Sequence, residues 1–452
     1  MSTRRFFVVR DAVHGDIHLT REEGRLLDTR EMQRLRGVAQ LGLAHLVFPG
    51  ARHSRFEHSI GTLHMTSRLV AAINRNAELW GYTCRRVSPE EERLMRAAAL
   101  VHDVTHIPFG HNVEDQCGLL PRHDRPERFR AMLARDGELG AELEAQGLLE
   151  PVLDVLGAGG PVPAPFLAQV ISDTICSDLM DYLLRDAHYT GLDLRYDARI
   201  ADWFKVDSES GACSSTARRR ASSARTSCPR SCACCRRATG SRSGSTTTTP
   251  RSRPGRWSPA PWRTPCSAAG SPRGPVRPDR REPPPAARAR GGGPDDAAAR
   301  DAWRMLDGLR RRRLLKRVAV LPYEDNRALQ DELVERFFSP ARAGHRRELE
   351  AGLERDLEAR FGRRECVQLY CPSRRMQLKE VGTLVRMPGA DDLAPLSTFR
   401  DRIPRIADLE DSYLRLWRVY VLTTASAPEE RRLLQERVRE ALPGAVDAYR
   451  IR

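Results

Sequence analysis

Long apolar runs are absent from this 452-residue sequence, which has no stretch of 18 apolar residues and so no segment able to span a membrane as a helix. The apolar run near the N-terminus, Phe6–Val9, is too short for a secretory signal peptide. Cysteine is scarce outside one segment, with five of the 11 cysteines scattered through the rest of the chain, a usage typical of reduced cytosolic thiols. We therefore expect a soluble, cytoplasmic protein with no membrane partner.

Residues 211–300 lack leucine, isoleucine, methionine, phenylalanine, tyrosine and lysine, and their only valine is Val276. They contain 19 arginines and 4 acidic residues, which accounts for the whole net charge of +15 and leaves the rest of the chain neutral. Six cysteines also lie here, but Cys232, Cys234 and Cys235 have no neighbouring histidine and fit no zinc spacing well. A nucleic-acid partner is possible but not favoured, because the basic charge is confined to this segment.

A stretch with so few aliphatic residues cannot bury enough apolar surface to offset the entropy lost on ordering. One interpretation is a disordered Arg/Pro/Ser-rich insert, and the other is a segment translated out of frame. The sequence accordingly divides into residues 1–207, an anomalous segment at 208–300, and residues 301–452.

Residues 1 to about 205 alternate apolar-periodic runs with turns, as in a mostly helical domain. Ser88, followed by Pro89 and Glu91, predicts a helix start with an N-cap, a proline at the first position and a capping-box acid. A second helix is predicted over residues 168–188, after a glycine-rich loop at 157–161.

Residues 301–452 predict a small α+β lobe. Apolar residues at helical spacing predict a helix at its start: Trp303, Leu306, Leu309, Leu314 and Leu315. Runs rich in β-branched and aromatic residues predict short strands: 367–370, 382–385 and 417–421. Charged helices are predicted over 332–361, and Pro428 opens a last helix.

Histidine is infrequent, yet seven of the 12 histidines fall between His45 and His111. His102 and Asp103 are adjacent near the end of a predicted helix. An imidazole beside a carboxylate suits a borderline-to-hard divalent ion. Most such pairs are structural when they occur alone, so their companions in the sequence decide the interpretation.

Those companions form a wider pattern. His58 lies 44 residues before His102, and Asp178 lies 75 residues after Asp103. Further strings stand at Asp11–Gly15, Gln33–Arg36 and Gln40–Gly42. Together they resemble the HD-domain metal-dependent phosphohydrolases, and within them the dGTPase and SAM-and-HD-domain dNTP triphosphohydrolase family.

The resemblance is strong over residues 7–205 and weak over 301–452, where it rests on residues 370–372 and 376–379. It implies a mainly α fold, with a helical HD-domain core and a small α+β C-terminal lobe. It also implies a nucleotide substrate, and we expect the chain to form a homo-oligomer.

By this resemblance, four residues are ligands of a divalent metal ion (Mn, Fe, Mg, Co or Zn): His58, His102, Asp103 and Asp178. Two imidazoles and two carboxylates leave positions open for water and a phosphate oxygen. Four further residues are implied in catalysis: His106, His111, His123 and Glu114. We favour His106 and His123 for proton transfer or phosphate contact, and Glu114 for holding a histidine in its tautomer.

Five residues are implied in substrate binding: Gln40, Leu41, Arg55, Tyr182 and Asp186. The fixed donor fork of Arg55 would bind phosphate. Gln40 and Asp186 would bind the sugar 3′-hydroxyl, and Tyr182 would pack on the ribose.

Structural alternatives stay open for three of these residues. His123 could be a surface-loop histidine, and Arg55 a surface arginine at a helix start. Asp186 could form a plain ion pair with Arg185 or Arg195.

The sequence departs from the family pattern at two places. Leu179 stands where the vertebrate relative has a lysine on the phosphates. A Val-Tyr-Tyr-His-His-Ala string that the family tends to carry near the substrate is also missing. The codons of residues 245–250, read one base earlier, permit that string, which favours the out-of-frame interpretation of the anomalous segment.

The resemblance implies hydrolysis of a dNTP, dGTP-like, to a deoxynucleoside and triphosphate, with an activity that the anomalous segment would impair. One alternative is another HD-family nucleotidase or phosphodiesterase. The others are an inactive product of a damaged gene and a nucleic-acid-binding protein that acts through the basic segment, with a steep salt dependence.

Overall fold

A computed structural model describes residues 6–110, 114, 121–194, 196–214, 306–337, 343–371, 384–385 and 394–451. The chain divides into two units, one holding Met1–Thr239 with Leu315–Arg452 and the other Gly240–Leu314. All elements named below lie in the first unit. The fold is mainly α, with a helical N-terminal part and a small α+β C-terminal lobe, as predicted.

The N-terminal part opens with a β-hairpin and continues as helices joined by short turns. Its strands are β1 (Phe6–Asp11), β2 (Gly15–Thr20), β3 (Cys84–Arg85), β4 (Lys205–Asp207) and β5 (Cys213–Ser214). Its α-helices are α1 (Arg21–Leu27), α2 (Arg30–Arg34), α3 (Arg55–Trp80), α4 (Pro89–Val101), α5 (Pro126–Met132), α6 (Glu138–Ala145), α7 (Leu149–Val155), α8 (Pro165–Gln169) and α9 (Ser177–Thr190). Short 3-10 turns lie at Leu35–Gly37, Ala44–Leu46, Gly81–Thr83 and Ala198–Trp203.

Capping boxes fix the starts of three of these helices. In each, a Ser or Thr side chain accepts a backbone N–H three residues on, where a glutamate returns the contact: Thr20 with Glu23, Ser54 with Glu57, and Ser88 with Glu91. The predicted helix start at Ser88 is therefore confirmed. The cap at Ser54 bears on the site, because it places Arg55 and His58 in the opening turn of α3.

Helix α3 runs through the middle of the N-terminal core and packs against α4 and α9. Leu63, Met65, Leu69 and Ile73 along it are fully buried. A helix that is apolar on most sides lies inside a domain rather than on its surface. The site residues on α3, α4 and α9 are consequently held by helices that pack against one another in this core.

The helix predicted over 168–188 is broken, and that prediction was wrong as a continuous element. α8 ends at Gln169 and α9 starts at Ser177. Between them the Asp173 carboxylate accepts the backbone N–H of Thr174, a local hydrogen bond that competes with helix formation. The break places Asp178 in the first turn of a new helix instead of mid-helix.

Three strand pairings in the N-terminal part, which form two small sheets, were not predicted. β1 and β2 pair in antiparallel register from Phe6 opposite Thr20 to Asp11 opposite Gly15. β4 pairs with β3 and β5, so the chain remains with this core as far as Ser214. The division at residue 207 stays a prediction, and residues 215–300 of the anomalous segment lie outside the described residues.

The C-terminal lobe is built on an antiparallel three-stranded sheet. The strands of the whole lobe are β6 (Lys316–Pro322), β7 (Val367–Tyr370), β8 (Leu384–Val385), β9 (Ala394–Pro395) and β10 (Arg418–Thr423). Its helices are α10 (Tyr323–Asn326), α11 (Gln330–Phe337), α12 (Ala343–Phe361), α13 (Pro404–Leu414) and α14 (Pro428–Ala441), with 3-10 turns at Arg327–Leu329 and Leu396–Phe399. The sheet order is β6-β10-β7, and Tyr420 lies opposite both Val320 and Tyr370.

One face of this sheet packs on the lobe's helices. Val419 and Val421 of β10 and the neighbouring Trp417 are fully buried in a core separate from the N-terminal one. At the β7 edge, carboxylates of α12 accept strand N–H groups: Glu354 from Val367 at 2.9 Å and Glu350 from Leu369 at 2.8 Å.

The predicted strands at 367–370 and 417–421, the charged helices of 332–361 and the last helix at Pro428 are confirmed in the described residues. Leu314 and Leu315 are not helical, because the chain turns at Arg312, whose φ is +55°, and then enters β6, which was not predicted. Residues 372, 376–379 and 382–383 lie outside the described residues. Within the described parts of the chain, no helix is both long and apolar enough to cross a membrane.

Candidate functional site

Three helices of the N-terminal core bring the four predicted metal ligands together. His58 lies in the opening turn of α3. His102 is the C-terminal cap of α4, and Asp103 follows it in the turn. Asp178 lies in the first turn of α9.

The ligand atoms gather around one point: those of His58, His102 and Asp103 lie within 4.8 Å of one another, and Asp178 Oδ1 adjoins both imidazoles. His58 Nε2 lies 2.9 Å from Asp178 Oδ1 and 3.8 Å from Asp103 Oδ2. His102 Nε2 lies 3.6 Å from Asp103 Oδ1 and 3.7 Å from Asp178 Oδ1. These separations are compatible with ligands around one ion with bonds of roughly 2.0–2.2 Å.

Hydrogen bonds on the far side of both imidazoles decide which ring nitrogen faces this point. His102 Nδ1 lies 2.7 Å from the Ala99 carbonyl, which can only accept, so Nδ1 carries the proton. His58 Nδ1 likewise donates to Asp181 Oδ2 at 2.7 Å. His102 Nε2 is buried with no hydrogen-bond partner among the described residues. Lone pairs aimed at carboxylates repel unless a cation lies between them, so this donor set fits a divalent ion.

The pKa shifts report the same negative potential. Burial lowers the pKa of His58, but the neighbouring carboxylates of Asp178 and Asp181 outweigh burial and raise the pKa to about 10. Burial raises the pKa of Asp178, yet the neighbouring imidazoles of His102 and His58 bring it well below its usual range. The site therefore favours positive charge at its centre.

Arg55 is buried beside this point rather than exposed on the surface. Its Nη1 donates to Asp103 Oδ2 at 2.5 Å, and the two side chains are 7% and 8% exposed. The alternative of a surface arginine is therefore wrong. Burial would raise the pKa of Asp103, but the charge of Arg55 and then those of the neighbouring histidines hold it well below its usual value.

A second histidine cluster adjoins the first. His106 Nε2 lies 3.2 Å from Asp103 Oδ1, and its ring stacks on His123 with centroids 3.7 Å apart. His123 Nδ1 donates to Glu114 at 2.9 Å, and Arg128 donates to the other oxygen of Glu114 at 2.7 Å. His123 thus takes part in a half-buried network, while His111 lies outside the described residues.

The ligand atoms of His106, Glu114 and His123 are close enough to be considered for a second ion. The stack argues against it, because parallel rings 3.7 Å apart cannot both direct an in-plane lone pair at one metal. Burial lowers the pKa of His106 to about 4, although Asp103 opposes the shift. Burial raises the pKa of Glu114, but the hydrogen bond from His123 and its other contacts bring it down to about 2.

Of the predicted substrate residues, Asp186 is bound by His53, with 2.8 Å between Nε2 and Oδ1. An ion pair between Asp186 and Arg185 was a wrong alternative, since Arg185 bonds Asp181 and Asp11; Arg195 lies outside the described residues.

The other predicted substrate residues lie around the same histidines. Gln40 donates its backbone N–H to the His53 carbonyl, and its side-chain oxygen is buried with no partner in the described structure. The Leu41 carbonyl accepts from Ala44 in the adjoining turn. The Tyr182 ring lies 6.4 Å from that of His58.

Sequence reasoning missed Asp181, Arg185 and His14, which surround His58 from behind. Asp181 accepts from all three of His14, His58 and Arg185 and is fully buried. Its position three residues after Asp178 on α9 was an available signal, as was the Asp11–Gly15 string.

Comparison with known proteins agrees with this geometry. Residues 55–155 match the family model described as the HD domain. The deoxynucleoside triphosphate triphosphohydrolase SAMHD1 of Homo sapiens is 30% identical over 241 residues, covering 46% of this chain and 37% of that protein. An uncharacterized protein of Methanocaldococcus jannaschii is 33% identical over 184 residues, covering 41% of this chain and 34% of that protein.

A solved phosphohydrolase from Bacteroides thetaiotaomicron is 28% identical, with a TM-score of 0.38, over 44% of this chain and 46% of that one. The chain spans between 34% and 40% of the length of the first curated relatives it matches. Residues 55–155 are therefore similar to the HD domain family, and the chain is similar over part of its length to the deoxynucleoside triphosphate triphosphohydrolase SAMHD1.

Proposed function

We propose that this chain is a metal-dependent phosphohydrolase that converts a dNTP to a deoxynucleoside and triphosphate. The observation that carries the proposal is the convergence of His58, His102, Asp103 and Asp178, with both imidazole Nε2 atoms facing two carboxylates. The similarity to a deoxynucleoside triphosphate triphosphohydrolase supports the choice of substrate class.

These four residues would hold a divalent ion, which supplies Lewis-acid activation of water and of a phosphate oxygen. Water adds to the α-phosphorus, and the bond from that phosphorus to the sugar 5′ oxygen breaks, releasing triphosphate. Arg55 binds Asp103 through one nitrogen, and its five N–H donors leave capacity for a phosphate oxygen beside it.

His106 and His123 would handle protons. Burial keeps His106 neutral near pH 7, and the negative charge of a phosphate bound nearby would raise its pKa and favour protonation. Glu114 accepts a hydrogen bond from Nδ1–H of His123, and so leaves Nε2 of that ring for proton exchange with substrate or water.

Asp186, held by His53, would accept the sugar 3′-hydroxyl together with Gln40. Gln40 has an unpartnered buried side-chain oxygen in the described structure, as a group that awaits a donor would. Leu41 and Tyr182 would complete the apolar contact with the sugar. The oligomeric state stays a prediction, and light scattering of the purified chain tests the expected homo-oligomer.

Product analysis tests the proposal. Because the anomalous segment should impair the activity of the chain as written, the assay uses this chain and a variant whose frame is restored so that 245–250 reads near Val-Tyr-Tyr-His-His-Ala. Each is incubated with each dNTP and Mn²⁺, and products are identified by ³¹P NMR. Release of intact triphosphate supports the proposal, whereas pyrophosphate with a nucleoside monophosphate, or inorganic phosphate, indicates another HD-family phosphoesterase. Asp178→Asn should abolish the reaction, and Asp173→Asn, an exposed carboxylate on the preceding turn, should not.

A further inference from the structure

The Asp11–Gly15 turn between β1 and β2 carries one of the strings found in the sequence, yet it does not line the proposed metal site. Asp11 Oδ1 accepts the backbone N–H of Val13 at 2.9 Å and that of His14 at 2.8 Å. This turn directs the His14 ring inward, where its side chain is 4% exposed. The string therefore builds a specific buried contact rather than only a tight turn.

The His14 ring contacts Asp181, and each of the two oxygens of that carboxylate accepts two hydrogen bonds. Oδ1 accepts from His14 Nε2 at 2.6 Å and from Arg185 Nη2 at 2.9 Å. Oδ2 accepts from His58 Nδ1 at 2.7 Å and from Arg185 Nε at 2.9 Å. Each oxygen thus receives one histidine and one guanidinium N–H.

Arg185 on α9 links this helix to the Asp11–Gly15 turn. Its Nη1 donates to Asp11 Oδ2 at 2.8 Å, so one guanidinium joins the carboxylates of Asp11 and Asp181. Gly61 on α3 leaves the room for this arrangement, because a Cβ there would collide with the Asp181 carboxylate and the Arg185 guanidinium. The position one turn after His58 therefore excludes any side chain.

We propose that Asp181 is a positioning residue: held by His14 and Arg185, it keeps the proton of His58 on Nδ1 so that the Nε2 lone pair faces the cation. The Asp11–Gly15 turn is then the part of the fold that prepares this ligand for its metal. This inference rests on the proposed function, since it concerns the same metal site. Carboxylates behind ligating histidines orient the ring and raise its basicity.

The Asp181→Asn variant distinguishes a role in positioning His58 from a role in packing, because it keeps the shape of the side chain. In either orientation of the amide, its NH₂ group faces one N–H of Arg185 and one histidine. If it faces His58, that ring must accept at Nδ1, and its proton moves to Nε2, where the cation would bind. We expect Asp181→Asn to weaken Mn²⁺ binding by about 10- to 100-fold.

The binding experiment uses the full chain, stripped of metal and titrated with Mn²⁺ by calorimetry. His14→Phe should also weaken binding, and His14→Gln should restore part of it, because a glutamine amide N–H can still donate to Asp181. His18→Gln and Asp16→Asn are matched controls on the same hairpin; both residues are exposed, and binding should stay within twofold of the wild type.

NMR of ¹⁵N-labelled histidines reads the tautomer of His58 without metal or substrate, in samples held above the raised pKa of this histidine, where its ring is neutral. There the wild type should carry the ring proton on Nδ1, and Asp181→Asn should move it to Nε2. Unchanged Mn²⁺ affinity together with an unchanged tautomer in Asp181→Asn overturns the inference. If Asp181→Asn does not fold, the Mn²⁺ affinities of His14→Phe and His14→Gln test the inference, which requires weaker binding by His14→Phe than by His14→Gln. If the wild type binds no Mn²⁺, the proposed function fails, and the tautomer still decides whether Asp181 positions His58.

Discussion

Replacement of Asp103 by alanine should separate two roles of this carboxylate. As a proposed ligand, it is needed for any phosphohydrolase activity, which should be lost. It is also the partner of Arg55 at 2.5 Å in a pair less than 10% exposed. Removing one member of a buried pair leaves the other charge uncompensated, which costs about 3–5 kcal/mol. We therefore expect native helical content with a clearly lower stability.

Far-UV circular dichroism of metal-free protein in increasing urea measures both effects. Arg55→Met combined with Asp103→Ala should recover part of the lost stability, because the double variant leaves no buried unpaired charge. Asp16→Ala on the exposed hairpin is the control and should shift the midpoint little. The reasoning is refuted if Asp103→Ala unfolds at the wild-type urea concentration. Global unfolding of Asp103→Ala in buffer without metal would instead assign the residue a structural role.

Three further predictions follow from the site and the sequence. The pKa of His106 is about 4 in the folded protein and 6.5 in the unfolded reference state. The folded protein should therefore lose stability as the pH falls from 6.5 towards 4. His106→Gln should reduce this loss of unfolding free energy by about 2–3 kcal/mol, measured by urea titration at pH 7 and pH 4.5. A chelator should abolish triphosphate release, and Mn²⁺ at about 100 times its Kd should raise the unfolding free energy by about 2.7 kcal/mol, whereas full activity in chelator would exclude a metal mechanism. The chain as written should show low solubility and weak or no dNTP hydrolysis. Restoring the frame so that 245–250 reads near Val-Tyr-Tyr-His-His-Ala should recover solubility and hydrolysis. Robust triphosphate release by the unaltered chain would contradict the out-of-frame interpretation.

The residues around the candidate site were predictable to different degrees. His58, His102, Asp103 and Asp178 stand in recognisable strings, so the sequence could group them before their distances were known. The contact between His14 and Asp181 joins residues 167 positions apart, and no local pattern reports it. Pairings of that kind depend on how helices and turns pack, which one sequence does not specify residue by residue.

The same distinction holds for the fold. The start of α4 at Ser88 follows from a capping box, which is a local interaction between residues three apart. The strand β6 depends instead on its pairing with the distant strand β10. The break before α9 is local, but the apolar period of the sequence hides it. Residues 168–188 have a helical apolar period, but hydrogen bonds at Asp173 and the pairing of Ser177 with Val170 interrupt it.

The carboxylates at the β7 edge have a consequence for association between molecules. An exposed sheet edge offers unpaired N–H groups on which a strand from another chain can add. Glu354 and Glu350 occupy the outward N–H groups of Val367 and Leu369, so this edge has fewer donors with which to template an intermolecular sheet. Burial raises the pKa of Glu350. Acid will therefore neutralise this carboxylate earlier than an ordinary glutamate, and weaken the protection against strand addition as the pH falls.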